Sequence, residues 1–353
     1  MVTTVAAVHG VLPPHRYPQS ELTDLFLRLS APDDGHTALV RRLHGSARVA
    51  TRHLALPIER YPGLADFTAA NDAFLDAAVD LGADAVAAAL DQAALEAQDV
   101  DLVVSTTVTG IAVPSLDARI AARLGFRADV KRVPMMGLGC VAGAAGMARV
   151  HDYLLGHPGD VAVFVSVELC SLTVQRDDRS VANAVASGLF GDGAAGLVMV
   201  GGRRATRHPG PEVVDTRSHL FPDTERSMGW DVGSSGFRMV LGPEVPELIR
   251  ANLADEVKGL LTANGLTLAD VTTWVCHPGG PKVIEAIQAA LGVDADALAL
   301  TWRSLRDVGN LSSASVLHIL RDTLDLRPPP PGAWGVLLAM GPGVTAELVL
   351  LRW

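Results

Sequence analysis

The sequence predicts an α/β protein built from two related halves, and three observations carry that expectation. Short apolar runs alternate with helical stretches through most of the chain, the pattern of strands interleaved with helices. A helix, then Leu-x-x-x-Asp-Val, then an apolar strand occurs twice, around Leu95–Val100 and again around Leu266–Val271. The 353 residues are 49% hydrophobic with a mean hydropathy of +0.27, enough for one large or two fused domains with an extensive core.

In chain order, Asp101–Thr107 reads as a buried strand, filled by apolar and β-branched residues, and Ser115–Leu124 as a helix opening after Pro114. Val161–Val167 and Ala194–Val200 read as apolar strands. Glycine, arginine and proline then cluster in Gly201–Glu212, which places the boundary between an N-terminal half, 1–205, and a C-terminal half, 206–353. In the second half, Thr272–Cys276 and Trp334–Met340 read as strands, and Pro281–Leu291 and Ser312–Leu324 as helices. Pro328–Pro331 reads as a stiff surface loop and Ala346–Trp353 as a closing strand.

The formal net charge of −10 argues against a nucleic acid or an anionic membrane as partner. A small polyanion needs only a local patch, and Arg41, Arg42, Arg48 and Arg52 form one basic stretch, with a solvated helix face as its plain alternative. The cysteines are Cys140, Cys170 and Cys276, an odd number without metal-ligand spacing, so a reducing compartment and no metal site are expected. Met1–Gly10 lacks a basic segment leading into a long apolar one, and no apolar run is long enough to span a bilayer, so the expected location is cytoplasmic.

Three segments carry chemistry. In Met135–Gly146 an apolar approach ends at Gly139, Cys140 follows, and small residues continue at helical spacing. Free N–H groups at a helix start favour a thiolate, the reactive form of cysteine, although most free cysteines are buried small hydrophobes. In Trp274–Pro281 a short strand delivers His277 to a Pro/Gly turn, and in Val308–Ser315 a glycine precedes Asn310 ahead of a helix of small residues. Each residue has an ordinary structural reading, a satisfied polar strand end or an N-cap. Together they make a nucleophile, a base and a hydrogen-bond donor.

With these motifs the chain resembles the type III (chalcone synthase-like) polyketide synthases, bacterial type, among the thiolase-fold condensing enzymes. Gly139-Cys140, His277-Pro278-Gly279-Gly280 and Gly309-Asn310-Leu311-Ser312-Ser313-Ala314 are similar to its three catalytic motifs, Leu189–Ala195 to its gatekeeper loop, and Gly341-Pro342-Gly343 to its C-terminal loop. The likeness runs from about residue 35 to Trp353. It implies a thiolase fold with duplicated αβαβα layers, and an acyltransferase without a permanently bound cofactor that uses CoA thioesters. Cys140, paired with His277, would hold an acyl-CoA starter, and malonyl-CoA would extend it by decarboxylation at His277 and Asn310.

The resemblance also implies gatekeeper and pocket roles for Phe190, Met239, Val108, Val113, Thr173, Trp230, Gly341, Pro342 and Gly343, and a homodimer in which Val113 reaches across the interface. Met239 stands where plant members have a second phenylalanine. Arg41, Arg42 and Arg48 are the candidate CoA contacts; Arg42 fits one of the family's basic positions, whereas Leu39 and Ser46 do not fit the others. Met228-Gly229-Trp230-Asp231 resembles bacterial members that use fatty acyl starters, so alkylpyrone or alkylresorcinol products are expected. The alternatives are a malonyl-primed synthase of tetrahydroxynaphthalene type and a ketoacyl-acyl carrier protein synthase of the initiation type. Retention of Cys140 argues against a non-catalytic chain-length subunit, and its context against a papain-like hydrolase.

Overall fold

The computed structural model describes residues 2–30 and 33–353. The first half runs β1 (Thr3–Val11), β2 (His15–Pro18), α1 (Gln19–Ser30), α2 (Asp34–Ser46), β3 (Thr51–Leu54), α3 (Phe67–Gln92), β4 (Leu102–Thr106), α4 (Leu116–Leu124), β5 (Lys131–Met135), α5 (Ala142–Gly156), β6 (Val161–Leu169), α6 (Val181–Leu189) and β7 (Asp192–Val200). The second runs β8 (Glu212–Leu220), β9 (Met228–Gly233), β10 (Gly236–Leu241), α7 (Val245–Ala263), β11 (Val271–Cys276), α8 (Pro281–Leu291), α9 (Ala299–Val308), α10 (Ser315–Leu326), β12 (Trp334–Gly341) and β13 (Thr345–Arg352).

The duplication hinted at by the repeated Leu-x-x-x-Asp-Val appears strand by strand. Nine strands form one sheet in the order β11-β12-β13-β8-β1-β7-β6-β4-β5. In the first half β4 and β6 are parallel, then β7 and β1 each add antiparallel; β11, β12, β13 and β8 repeat that order and those senses. The half-sheets join where Thr3 and Thr4 of β1 meet Val213 and Glu212 of β8. Both repeat segments fold as 3-10 turns, with the Asp99 carboxylate accepting from the Glu96 N–H and Asp270 from Thr267. Both α4 and α8 stop at a left-handed glycine, Gly125 with φ 69° and Gly292 with φ 66°.

Strand periodicity sets the layers. Val163 and Val165 of β6 face outward to a cluster with Val86 and Ala89 of α3 and Ile120 of α4, while Ala162 and Phe164 face inward. Val336 and Leu338 of β12 pack likewise against α7 and α8. Between the half-sheets lie α5 and α10, whose Ala144, Met147, Val316 and Leu320 share one core with Phe164, Leu197, Leu337 and Val349. This is the αβαβα layering of the thiolase fold, with a common core spanning both halves.

Small residues in α5 make that centre possible. A Cβ on Gly143 would stand 2.2 Å from the Ser313 carbonyl oxygen, and one on Gly146 would stand 2.3 Å from the Phe164 ring. The second half departs from the sequence reading in one place. The expected helix at Ser312 opens instead as a 3-10 turn over Ser312–Ala314, and the α-helix starts at Ser315. Ser312 takes φ 49°, in the left-handed region, and its N–H donates to the Asn310 side chain at 2.8 Å. Pro328–Pro331 forms coil at the surface, and no helix among the described residues is long and apolar enough to cross a membrane.

Two glycines of α5 separate packing from propensity. Gly143→Ala forces the Ser313 backbone away and is expected to cost about 1–3 kcal/mol. Gly156→Ala meets nothing within 4 Å and is expected to raise stability by about 0.5–1 kcal/mol. Thermal melting of both variants beside the parent protein checks the pair; equal shifts would contradict the close approach.

Candidate active site

Each chemical motif ends an element of the repeated half. β5 leads to a 3-10 turn over Gly139–Val141 that places Cys140 at the start of α5. Gly139 has φ 56°, and a Cβ there would meet Pro342 at 2.6 Å. A Cβ on Gly341 would meet the Leu138 carbonyl at 2.7 Å. The turn between β12 and β13 therefore braces the cysteine turn across the halves. His277 follows β11 and keeps the parallel pairing one residue further, its N–H donating to the Leu338 carbonyl at 2.9 Å. Asn310 follows α9 after Gly309 (φ 77°) and is pinned to the α6–β7 turn: its N–H donates to the Leu189 carbonyl at 2.8 Å, and its carbonyl accepts from Gly191 at 3.0 Å.

All three side chains line one cavity of about 740 Å³, mostly apolar, between the halves. The Cys140 Sγ donates to the Ser312 hydroxyl at 3.6 Å. Burial pushes the thiol up to about 12; hydrogen bonds from Ser312 and Asn310 pull it down, and the charge of Glu168 pushes it up. Burial alone holds His277 down to about 3, and neither of its ring nitrogens has a hydrogen-bond partner. No hydrogen bond joins His277 to Cys140, and burial shifts each group toward its neutral form. The Asn310 side-chain oxygen accepts from the Ser312 N–H at 2.8 Å and the Ser315 hydroxyl at 3.5 Å, which leaves the amide N–H₂ for the Cys140 sulfur.

Phe190, Met239, Val108, Trp230 and Pro342 line the same cavity. Arg52 is buried, its charge pushed down to about 10 by desolvation, and donates to the Phe190 carbonyl at 2.8 Å, so this member of the basic stretch braces the Phe190 turn. Phe190, Trp230, Met239 and Cys170 also wall off a small apolar pocket of about 60 Å³ against Leu22, Leu25 and Phe26 of α1. Trp230 is held from behind by Phe237 at 6.1 Å, itself edge-on to Phe67.

Other expected residues lie elsewhere. Thr173 lines that small pocket and a polar one of about 310 Å³, not the cavity with Cys140. Val113 is 91% exposed, on the surface of its own chain. Gly341 and Gly343 shape the turn around Pro342 without lining the cavity.

Among the candidate CoA contacts, Arg48 alone lines the cavity, at its mouth, paired with Glu285 at 3.1 Å and lying 4.8 Å over the Trp302 ring. Arg41 turns to Asp24 at 2.9 Å, and neither it nor Arg42 reaches the cavity, since α2 points them outward. The sequence reading passed over Lys282, at the mouth, and any pocket role for Cys170, inside; Met228, at the head of the Met228–Asp231 run, also lines the cavity. Lys282 carried a signal: it sits in the first turn of α8, where the helix dipole disfavours a cation, and has no ion-pair partner among the described residues.

Comparison with known proteins follows the same frame. Chalcone and stilbene synthases match over both domains, the N-terminal one at residues 2–203 and the C-terminal one at 212–353. The chain is 58% identical over 352 residues to a 1,3,6,8-tetrahydroxynaphthalene synthase of Streptomyces peucetius subsp. caesius, covering 99% of this chain and 93% of the relative. It is 32% identical to the α-pyrone synthesis polyketide synthase-like Pks18 of Mycobacterium tuberculosis, over 99% of this chain and 91% of the relative. The crystal structure of the 1,3,6,8-tetrahydroxynaphthalene synthase of Streptomyces coelicolor A3(2), a bacterial type III polyketide synthase, superposes with a TM-score of 0.93 at 33% identity and covers 99% of both chains. Matched in both halves and along its whole length, the chain belongs to the chalcone and stilbene synthase family and is a type III polyketide synthase.

Proposed function

We propose that this polyketide synthase is an acyltransferase that loads an acyl-CoA starter onto Cys140 and extends it with malonyl-CoA. The observation that carries the reading is the unmatched hydrogen-bonding capacity of the site. A buried imidazole with two unpartnered nitrogens and an amide whose N–H₂ faces the thiol share the cavity. Buried polar groups rarely go unpaired without a functional reason. Decarboxylation of malonyl-CoA turns its thioester into an enolate, and neutral donors from His277 and Asn310 suit that oxygen. A carboxylate base at either position would repel the substrate's own carboxylate, whereas an amide does not. The enolate carbon then attacks the Cys140 thioester, displaces the thiolate and lengthens the chain by two carbons. Phe190 shields the departing carboxylate from water.

CoA thioesters serve as substrates with no resident cofactor. Arg48 and Lys282 flank the mouth and suit the CoA phosphates. The 58% identical synthase favours malonyl-CoA as starter too, with a tetrahydroxynaphthalene product. The fatty acyl reading, toward alkylpyrones or alkylresorcinols, draws on the mycobacterial relative and on the apolar pocket behind Trp230, which Trp230 itself closes. A homodimer is supported by the open edge of β5 and by the exposed apolar Val113, Ile111, Val133 and Met136. Three free cysteines fit a reducing cytoplasm.

Three outcomes are expected. His277→Ala and Asn310→Ala each lower malonyl-CoA decarboxylation by about 10²–10³-fold, read as labelled CO₂ release, while Cys140→Ala abolishes extended products. Presented with malonyl-CoA and starters from acetyl-CoA to palmitoyl-CoA, the parent makes a naphthalene product from malonyl-CoA alone. Trp230→Ala gains pyrones or resorcinols from long starters; long-starter products from the parent would instead establish the fatty acyl reading. Lys282→Glu raises the KM for malonyl-CoA about tenfold, which corresponds to about 1.4 kcal/mol, with kcat little changed and the effect fading in high salt.

A further inference from the structure

The β9–β10 hairpin carries Trp230 and Met239 yet stands as a two-stranded sheet of its own. A lone two-stranded ribbon is marginally stable in water, so its position depends on what anchors it. At its base the Met228 carbonyl accepts from the Gly343 N–H at 3.1 Å, in the turn that braces Cys140. Its tip packs on the start of α3: Gly236 has φ 96°, and a Cβ there would stand 2.8 Å from the Phe67 ring. A buried amide also reaches the tip. Gln175, 6% exposed, donates from Nε2 to the Ser235 carbonyl at 3.0 Å and to the Thr173 carbonyl at 3.2 Å. Its segment is tied in turn to α6, where the Asn183 Nδ2 donates to the Gln175 and Asp178 carbonyls at 2.9 and 2.8 Å. Arg238 of β10 stands 4.0 Å from the Asp178 carboxylate, a looser link to the same segment.

These anchors matter because of what the hairpin separates. Trp230 and Met239 are cross-strand partners and line both the 740 Å³ cavity with Cys140 and the 60 Å³ apolar pocket against α1. Gly233 and Gly236 pair at the tip, and Trp230 and Met239 pair three residues further along, so a displaced tip carries the wall with it. We propose that Gln175 is a positioning residue for starter specificity: its hydrogen bond to Ser235 holds the hairpin so that Trp230 closes the apolar pocket to long acyl chains. The inference rests on the reading of Trp230 as that barrier. Gln175 lines the polar 310 Å³ pocket and not the cavity with Cys140, so it acts on the acyl chain only through the hairpin. An amide suits the position because both facing groups are carbonyl oxygens, which only a donor satisfies. The turns that carry Cys140, His277 and Asn310 are held by their own close glycine contacts and backbone hydrogen bonds, so release of the tip leaves them in place.

The test reads pyrones and resorcinols formed from palmitoyl-CoA with labelled malonyl-CoA, and in a parallel mixture the CO₂ released from malonyl-CoA alone. Gln175→Leu removes the donor at similar volume and leaves two carbonyls that water in the polar pocket can reach. It is expected to raise long-starter products about fivefold over the parent, the factor that loss of one ordinary hydrogen bond converts to. CO₂ release stays near the parent rate, and amide hydrogen exchange across residues 228–241 quickens while that of the common core does not. Arg238→Ala, on the surface, shifts the products the same way by less. Trp230→Ala gives the full gain, and the Trp230→Ala, Gln175→Leu double variant adds nothing to it, because the tether acts through the tryptophan. Parent-level products from Gln175→Leu, CO₂ release that changes in step with the products, or a gain in the double variant beyond Trp230→Ala overturns the inference. Trp230→Ala tells that failure from the failure of its premise: a gain there without one in Gln175→Leu overturns the tether alone, and no gain in Trp230→Ala overturns both.

Discussion

The site depends on the approach of α5 to the turn that precedes α10. These two are counterparts in the duplicated halves, and each carries part of the chemistry at its start: Cys140 before one, Asn310 and Ser312 before the other. Bringing the two starts together needs backbone against backbone, which Gly143 permits at the Ser313 carbonyl. Gly139, Gly309 and Gly341 extend the same constraint outward, since a Cβ on any of them would strike the opposing turn. The glycines are spent on placing two helix starts and a strand end around one cavity, and the apolar core shared by both halves keeps them there.

That cavity is built to hold reacting groups uncharged. Desolvation holds His277 down to about 3 and lifts Cys140 to about 12, so burial favours the neutral form of each. Under the proposed function a neutral imidazole suits the site, because a fixed positive charge would stabilise a malonyl carboxylate in the ground state as well. Cations stand instead at the mouth, on Arg48 and Lys282. Under the proposed function, attraction for a polyanionic carrier and discharge of its acyl group are separated in space, which fits a chain whose net charge of −10 would otherwise repel such a ligand.

Much of the fold was legible because it rests on local pattern. Apolar runs located β4, β6, β7, β11, β12 and β13, and the repeated Leu-x-x-x-Asp-Val was a capping turn in each half. The motif residues Cys140, His277 and Asn310 were legible for a related reason, since each follows an element end beside glycine. What escaped the sequence depends on direction. The stretch Arg41–Arg52 looks uniform in one dimension, yet Arg41 turns to Asp24, Arg48 reaches the mouth and Arg52 is buried beneath Phe190. Helical phase and burial, not residue type, divide them. Glu168 escaped because nothing in Val-Ser-Val-Glu-Leu marks one position of an apolar strand as facing a cluster of hydroxyls contributed by residues 107, 109 and 313.

The same directional logic bears on specificity. Trp230 and Met239 face one another across the β9–β10 hairpin, in register. That hairpin lies outside the large sheet, so its side chains can vary without disturbing the turns that hold Cys140, His277 and Asn310. Trp230 is backed by Phe237 and Phe67 in a run of aromatic contacts, which makes it a firm wall between the cavity and the apolar pocket against α1. Under the proposed function, glycines in the common core fix the catalytic geometry, while side-chain volume on a peripheral ribbon sets the reach of the acyl chain. A substitution at residue 230 should therefore change which starter is accepted while the decarboxylating groups keep their places.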